Sequence, residues 1–170
     1  MSGKTHGYEV RVVWTGNDGT GTRTYRGYRR DHQIAAPGKA PIAGSSDPAF
    51  RGDPARWNPE ELLVASRSAC HKLWYLGLCS QSGVNVLSYE DDARGVMTEE
   101  PGGAGQFTAV VLRPRVVIDA ASDAALARDL GIAAGEADIV YPDLEVARSA
   151  ELDLGGRRLV LQPWPTAHTD

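Results

Sequence analysis

The chain has 170 residues, a mass of 18.2 kDa and a formal net charge of -4, with a sequence pI of about 5.6. That length supports one full hydrophobic core, so a single domain over residues 1–170 is expected, and the weakly acidic balance excludes the basic stripe that nucleic acid or an anionic membrane demands. No run of about 18 apolar residues is present and the opening MSGKTHGYEV lacks the apolar centre of a secretory signal, so the expectation is a cytoplasmic protein with no membrane partner.

In chain order, YEVRVVW (8–14) alternates Val10, Val12 and Trp14 with Glu9 and Arg11, the period of a strand with one buried face. Asn17, Asp18 and Gly19 supply turn residues, and TRTYRGY resumes a Thr- and Tyr-rich strand, which predicts an N-terminal hairpin. From 36 to 57 the chain carries Pro37, Pro41, Pro48 and Pro54 among glycines, so a long loop is expected there.

A central helix over 58–82 follows. Asn58 is a good N-cap, Pro59 suits the first helical position, and Glu60 and Glu61 complement the helix dipole. Apolar residues lie on nearly every face from Leu62 to Leu78, which marks a helix covered on all sides, and Gly83 is placed to stop it. Beyond it, VNVLSYEDDARGVMTEE and GQFTAVVLRPRVVI read as two long strands joined at EPGGAG. Ser122 is placed to cap a short helix, ASDAALARDLGIAAGEA, and EVARSAELDL and RRLVLQPW form a last pair of strands around Gly155 and Gly156. The order of elements predicts an α+β fold.

Both cysteines, Cys70 and Cys79, lie in the central helix. Nine helical residues put them about 180° apart and roughly 13 Å along the axis, beyond disulfide reach. They are also too few and wrongly spaced for a zinc site, and no metal is expected.

RWNPEELLVASRSACH, then LWYLGLC and SYEDDARGVM, resembles the OsmC/Ohr family of organic hydroperoxide reductases and osmotically induced relatives. Its most specific feature is Asn-Pro-Glu with, ten residues after the glutamate, a cysteine preceded by a small pair. The resemblance implies an OsmC-like fold built as an intertwined homodimer. It also implies a thiol peroxidase in which Cys70 attacks the peroxide and Glu60 helps to hold the cysteine's cationic partner. No cofactor is implied beyond an external thiol or dithiol reductant.

Those residue types suit the chemistry. Only the thiolate is nucleophilic, and burial in an apolar helix raises a thiol pKa, so a nearby cation has to oppose it. Arginine serves best because it keeps its charge. Glu60 lies about 15 Å along the helix from Cys70, so a site using both spans two chains.

Two departures from the family pattern stand out. The later helix aligns Gly135 and Asp138 where the family has a histidine and a second cysteine, and TGNDG offers Asn17 or Asp18 where it has an arginine. Arg23, Arg26, Arg29 and Arg30 follow closely, and the sequence does not choose among them.

Plainer assignments cover the other candidates. Cys79 reads as core. His71 points about 100° from Cys70, which suits a structural or interface role better than a dyad. His32 and His168 are isolated, and Asp91 with Asp92 reads as a solvated strand face. Two functional readings stay open. One is a hydroperoxide reductase whose Cys70 sulfenate is resolved by an external thiol; the other is a catalytically degenerate dimer that binds a small apolar ligand.

Overall fold

The computed structural model describes residues 4–103, 105–136, 150–153 and 158–161. Among them the chain forms two helices and antiparallel strands, an α+β fold in agreement with the sequence. They fall into two compact units, Met1–Arg67 and Ser68–Asp170, whose boundary lies within the long helix. Among the described residues no helix is long and apolar enough to cross a membrane.

The first unit is a three-stranded antiparallel sheet of β1 (Arg11–Trp14), β2 (His32–Ala35) and β3 (Ile42–Gly44). The expected hairpin exists, but its second strand is HQIA, not TRTYRGY: Arg11 pairs with Ala35 and Trp14 with His32. The reason is local. The Arg30 guanidinium lies 4.4 Å from the Tyr25 ring centroid and 4.1 Å from that of Tyr28, and donates to the carbonyls of both residues. Cation–π attraction and two charge-assisted bonds curl 24–30 around one arginine, against the β preference of its Thr and Tyr residues. The neck of this excursion is fastened by Thr15 N–H on Asp31 O, Arg29 N–H on Gly16 O and Trp14 Nε1–H on Arg29 O. A Cβ at Gly16 would stand 1.9 Å from that Arg29 carbonyl oxygen, so only glycine fits there.

Residues 36–57, expected as a loop, contain β3 and a short 3-10 turn, Pro48–Phe50. An ion cluster around buried Asp31 ties them to the start of β2. Asp31 receives Arg29 Nη1–H at 2.9 Å and Ser45 Oγ–H at 3.4 Å, with Arg56 Nε at 3.8 Å. Two guanidiniums and a hydroxyl offset the cost of burying that carboxylate.

Helix α1 (Pro59–Gln81) starts where the sequence placed it. Asn58 Oδ1 accepts from Glu61 N–H at 2.7 Å, and Glu61 Oε2 accepts from Asn58 N–H at 3.2 Å, a reciprocal capping box. It ends at Gln81, just before Gly83, whose φ of +75° is the left-handed conformation glycine accepts without cost, and Val84 N–H closes back on Cys79 O.

In the second unit each long strand of the sequence reading is broken in two. Strand β4 (Val86–Asp91) pairs with β7 (Pro114–Ile118), and β5 (Arg94–Glu99) with β6 (Gly105–Val111). The break is held by Asp91, one oxygen of which accepts from the Arg113 backbone N–H and the other from Ser68 Oγ on α1. Asp91 is thus a structural acceptor, whereas exposed Asp92 pairs with Arg115.

Helix α2 (Ala124–Glu136) is capped by Asp123, one residue later than expected: Asp123 Oδ1 accepts from the N–H groups of Ala125 and Leu126. Ser122 is occupied elsewhere, accepting from Asn85 N–H. Its buried alanines, Ala127 and Ala134, meet Tyr75 and Cys79 of α1 and Val84 in the core of this unit. Strands β8 (Ala150–Asp153) and β9 (Arg158–Leu161) pair antiparallel as expected, while their turn at Gly155 and Gly156 lies outside the described residues, as do Asp138 and His168.

Candidate functional site

Because a helix advances 100° per residue, positions 70 and 79 face opposite ways. Cys70 is exposed and Cys79 is 1% exposed, and the two form no disulfide. A solute can reach the first thiol and not the second. The other face of the same turn is fastened down, since Ser68 bonds Asp91 and His71 is buried.

His71 Nε2 lies 3.2 Å from Gly131 O on α2 and Nδ1 lies 2.8 Å from Tyr89 Oη on β4. A carbonyl only accepts, so Nε2 donates to Gly131 O, while Nδ1 and the Tyr89 hydroxyl share the second bond, and both ring nitrogens are satisfied. Its ring lies parallel to that of Tyr75, centroids 6.2 Å apart. The expectation of a structural histidine fits this geometry. The partners were not legible in the sequence, where the only signal was an aromatic one helical turn on.

Burial pushes the Tyr75 hydroxyl up to about 12, with the neighbouring Cys79 adding to it, and burial followed by the charge of Asp91 does the same for Tyr89. Both phenols are therefore neutral hydrogen-bonding groups through the physiological range.

Glu60, in the first turn of α1, holds one carboxylate oxygen, Oε2, buried with no hydrogen-bond partner among the described residues. Ten residues of helical rise separate it from Cys70, so a single chain does not bring the two candidate site residues together. Asn17, at the turn where the family pattern has an arginine, accepts from the N–H groups of Gly19 and Gly21. Among the candidate cations, Arg29 is paired with Asp18 and Asp31 and Arg30 is held by its two tyrosines, while Arg23 and Arg26 are exposed. Among the described residues no group of three or more His, Cys, Asp or Glu side chains could hold a metal ion.

An antiparallel α+β chain whose long helix opens on a capped Asn-Pro-Glu and turns a cysteine outward ten residues later defines an OsmC-like protein class. The OsmC-like protein family model matches residues 52–136, and the chain belongs to that family. An OsmC-like protein of unknown function from Vibrio cholerae is 28% identical with a TM-score of 0.70, the match covering 83% of this chain and 95% of that one. An OsmC-like protein from Mycoplasma pneumoniae is 10% identical, with a TM-score of 0.58 and coverage of 78% and 83%. An organic hydroperoxide resistance protein from Elizabethkingia anophelis, with thiocyanate bound, is 14% identical, with a TM-score of 0.56 and coverage of 77% and 82%. These last two share the fold. No curated protein matches the chain in sequence.

Proposed function

We propose that the protein reduces organic hydroperoxides through Cys70. The observation that carries this reading is that Cys70, at the family's motif position, is the exposed thiol of α1 while Cys79 is buried. The Cys70 thiolate attacks the outer peroxide oxygen, an S–O bond forms as the O–O bond breaks, and the alkoxide leaves as an alcohol on taking a proton. The sulfenic acid then condenses with an external thiol, releasing water, and a second thiol reduces the mixed disulfide. A cytoplasmic location would supply such thiols.

The site is completed by a second copy of the chain. Leu73 on α1 is 67% exposed, and Leu63 and Trp74 are also exposed, although the sequence marks this helix as one covered on all sides. The orphaned oxygen of Glu60 likewise calls for a donor, because a buried carboxylate oxygen without one is costly. A homodimer that packs α1 against its copy covers those apolar residues and brings Glu60 of one protomer toward Cys70 of its partner.

One observation favours the second reading. Asn17 spends its side chain on the turn amides and carries no charge, so the cation that would sustain the Cys70 thiolate is not supplied from that position. In that reading the dimer interface binds a small apolar ligand and no turnover occurs. Consumption of an alkyl hydroperoxide in the presence of a dithiol separates the two. Cys70→Ser abolishes consumption and Cys79→Ser leaves it unchanged if the peroxidase reading holds. A wild-type rate no faster than that of free dithiol excludes it in favour of ligand binding.

A further inference from the structure

Among the described residues of the first unit no apolar side chain is buried: its buried positions are Gly16, Asp31, Gly44, Ser45 and Asn58. Tyr8 is 90%, Val10 70% and Val12 61% exposed, and Trp14 is exposed beside them. The two edges of the sheet differ. Beyond β3 the edge is closed by Trp57, which bridges to Gly44, accepts from Ser45 N–H and donates to Ala43 O. Strand β1 is the other edge, and among the described residues nothing pairs with its outer side. The usual protection of an edge is missing there, with no proline or lysine from Tyr8 to Trp14 and no bulge in the pairing with β2.

The register on β2 fixes which backbone groups face outward. Thr15 N–H donates to Asp31 O, and Val13 and Arg11 stand opposite Gln33 and Ala35 in the same phase. Bonding residues alternate along an antiparallel ladder. Arg11 and Val13 therefore turn N–H and C=O toward β2, whereas Val12 and Trp14, and Val10 in continuation, turn theirs to the open edge. Side chains alternate as well: Tyr8, Val10, Val12 and Trp14 share one face, Glu9, Arg11 and Val13 the other.

We propose that this edge pairs antiparallel with β1 of a second copy, two-fold about Val10, extending the strand back to Tyr8. Centring on Val10 sets Glu9 of each chain directly opposite Arg11 of the other, in the non-hydrogen-bonded positions where side chains come closest. Tyr8 then faces Val12 across the seam on the apolar face, an aromatic and β-branched pair that sheets favour. The neighbouring registers do worse. One residue later sets Arg11 against Arg11, one residue earlier sets Glu9 against Glu9, and like charges directly opposite repel. Two residues later leaves both charges opposite uncharged side chains. Glu-Val-Arg is thus complementary to itself when turned about its valine, a contact in which one surface serves both partners. It uses neither Cys70 nor α1 and stands independently of the peroxide chemistry.

Hydrogen exchange on the whole protein tests the pairing. The amides of Val10 and Val12, which face the seam, exchange at least about tenfold more slowly than in an unstructured chain. Glu9→Arg or Arg11→Glu alone sets like charges opposite and removes that protection, and the double exchange Glu9→Arg with Arg11→Glu restores it. The amides of Arg11 and Val13, bonded to β2, stay protected throughout. Fast exchange at Val10 and Val12 in the wild type, protection indifferent to the single variants, or a double variant no better than the single ones overturns the proposal.

Cross-linking tests the register. Glu9→Cys and Arg11→Cys, each in the Cys70→Ser protein, are co-expressed under different tags and oxidised. Opposite residues of a ladder lie about 4.5–5.5 Å apart between Cα atoms, within disulfide reach, so a disulfide joins position 9 of one chain to position 11 of the other. Links between like positions, or none, overturn the proposal. Neither readout depends on peroxide consumption, so failure here leaves the Cys70 reading standing.

Discussion

Cys70 and Cys79 lie on opposite faces of α1, the first exposed and the second enclosed between Tyr75 and the alanines of α2. At neutral pH a bulky maleimide accordingly modifies Cys70 in the native protein and reaches Cys79 only on unfolding. Peptide mapping after oxidation finds no Cys70–Cys79 disulfide, since the helix holds the two sulfurs apart. Equal labelling of both thiols would contradict the helix geometry.

Two substitutions against the buried face of α1 move stability in opposite directions. Tyr89→Phe, on β4, removes the hydroxyl bonded to His71 Nδ1 and leaves that buried nitrogen unsatisfied, a loss of about 1–3 kcal/mol. Gly131→Ala places a methyl at ordinary contact distance from Tyr75 and removes a glycine from a helix interior, a gain of up to about 1 kcal/mol. Urea unfolding of the two variants measures both.

The sequence carried the helix ends of α1 through chemistry that is local: a capping asparagine, a proline at the first turn, a stop glycine. It carried the α+β order and the cysteine of interest for the same reason, since each is written in a few consecutive residues. What it did not carry depends on contacts between distant segments. The strand expected at TRTYRGY is lost because Arg30 gathers Tyr25 and Tyr28 around itself, and the partners of His71 lie 18 and 60 residues away. The cap of α2 moved by one residue because Ser122 and Asp123 are equally good candidates until Asn85 claims the serine. Glu60 was legible as a residue of interest; its unsatisfied oxygen was not.

Alkaline pH acts through the two buried tyrosines. Tyr75 and Tyr89 are pushed up to about 12 in the folded chain, against about 10 when unfolded. The folded state therefore holds protons that the unfolded state has already lost. The stability due to this pair is complete below about pH 10 and falls as pH rises toward 12. Phenolate absorbance followed against pH shows a late phase near 12 that belongs to Tyr75 and Tyr89. The lack of that late phase would place both rings in water.

Sedimentation equilibrium addresses assembly. The exposed Leu63, Leu73 and Trp74 of α1 predict a homodimer, with a buried interface above about 2,000 Å² in total, at the obligate end of the range. A compact, folded species of 18.2 kDa at low protein concentration would contradict it and would remove the two-chain site with it.

The central claim is that Cys70 is the thiol that takes oxygen from a hydroperoxide. One equivalent of an alkyl hydroperoxide is added to the reduced protein without added thiol, the product is trapped with a sulfenic-acid reagent, and the peptide carrying Cys70 is weighed. The account predicts stoichiometric trapping at Cys70, none at Cys79, and release of one equivalent of alcohol. An unmodified Cys70 with the hydroperoxide recovered intact would contradict it.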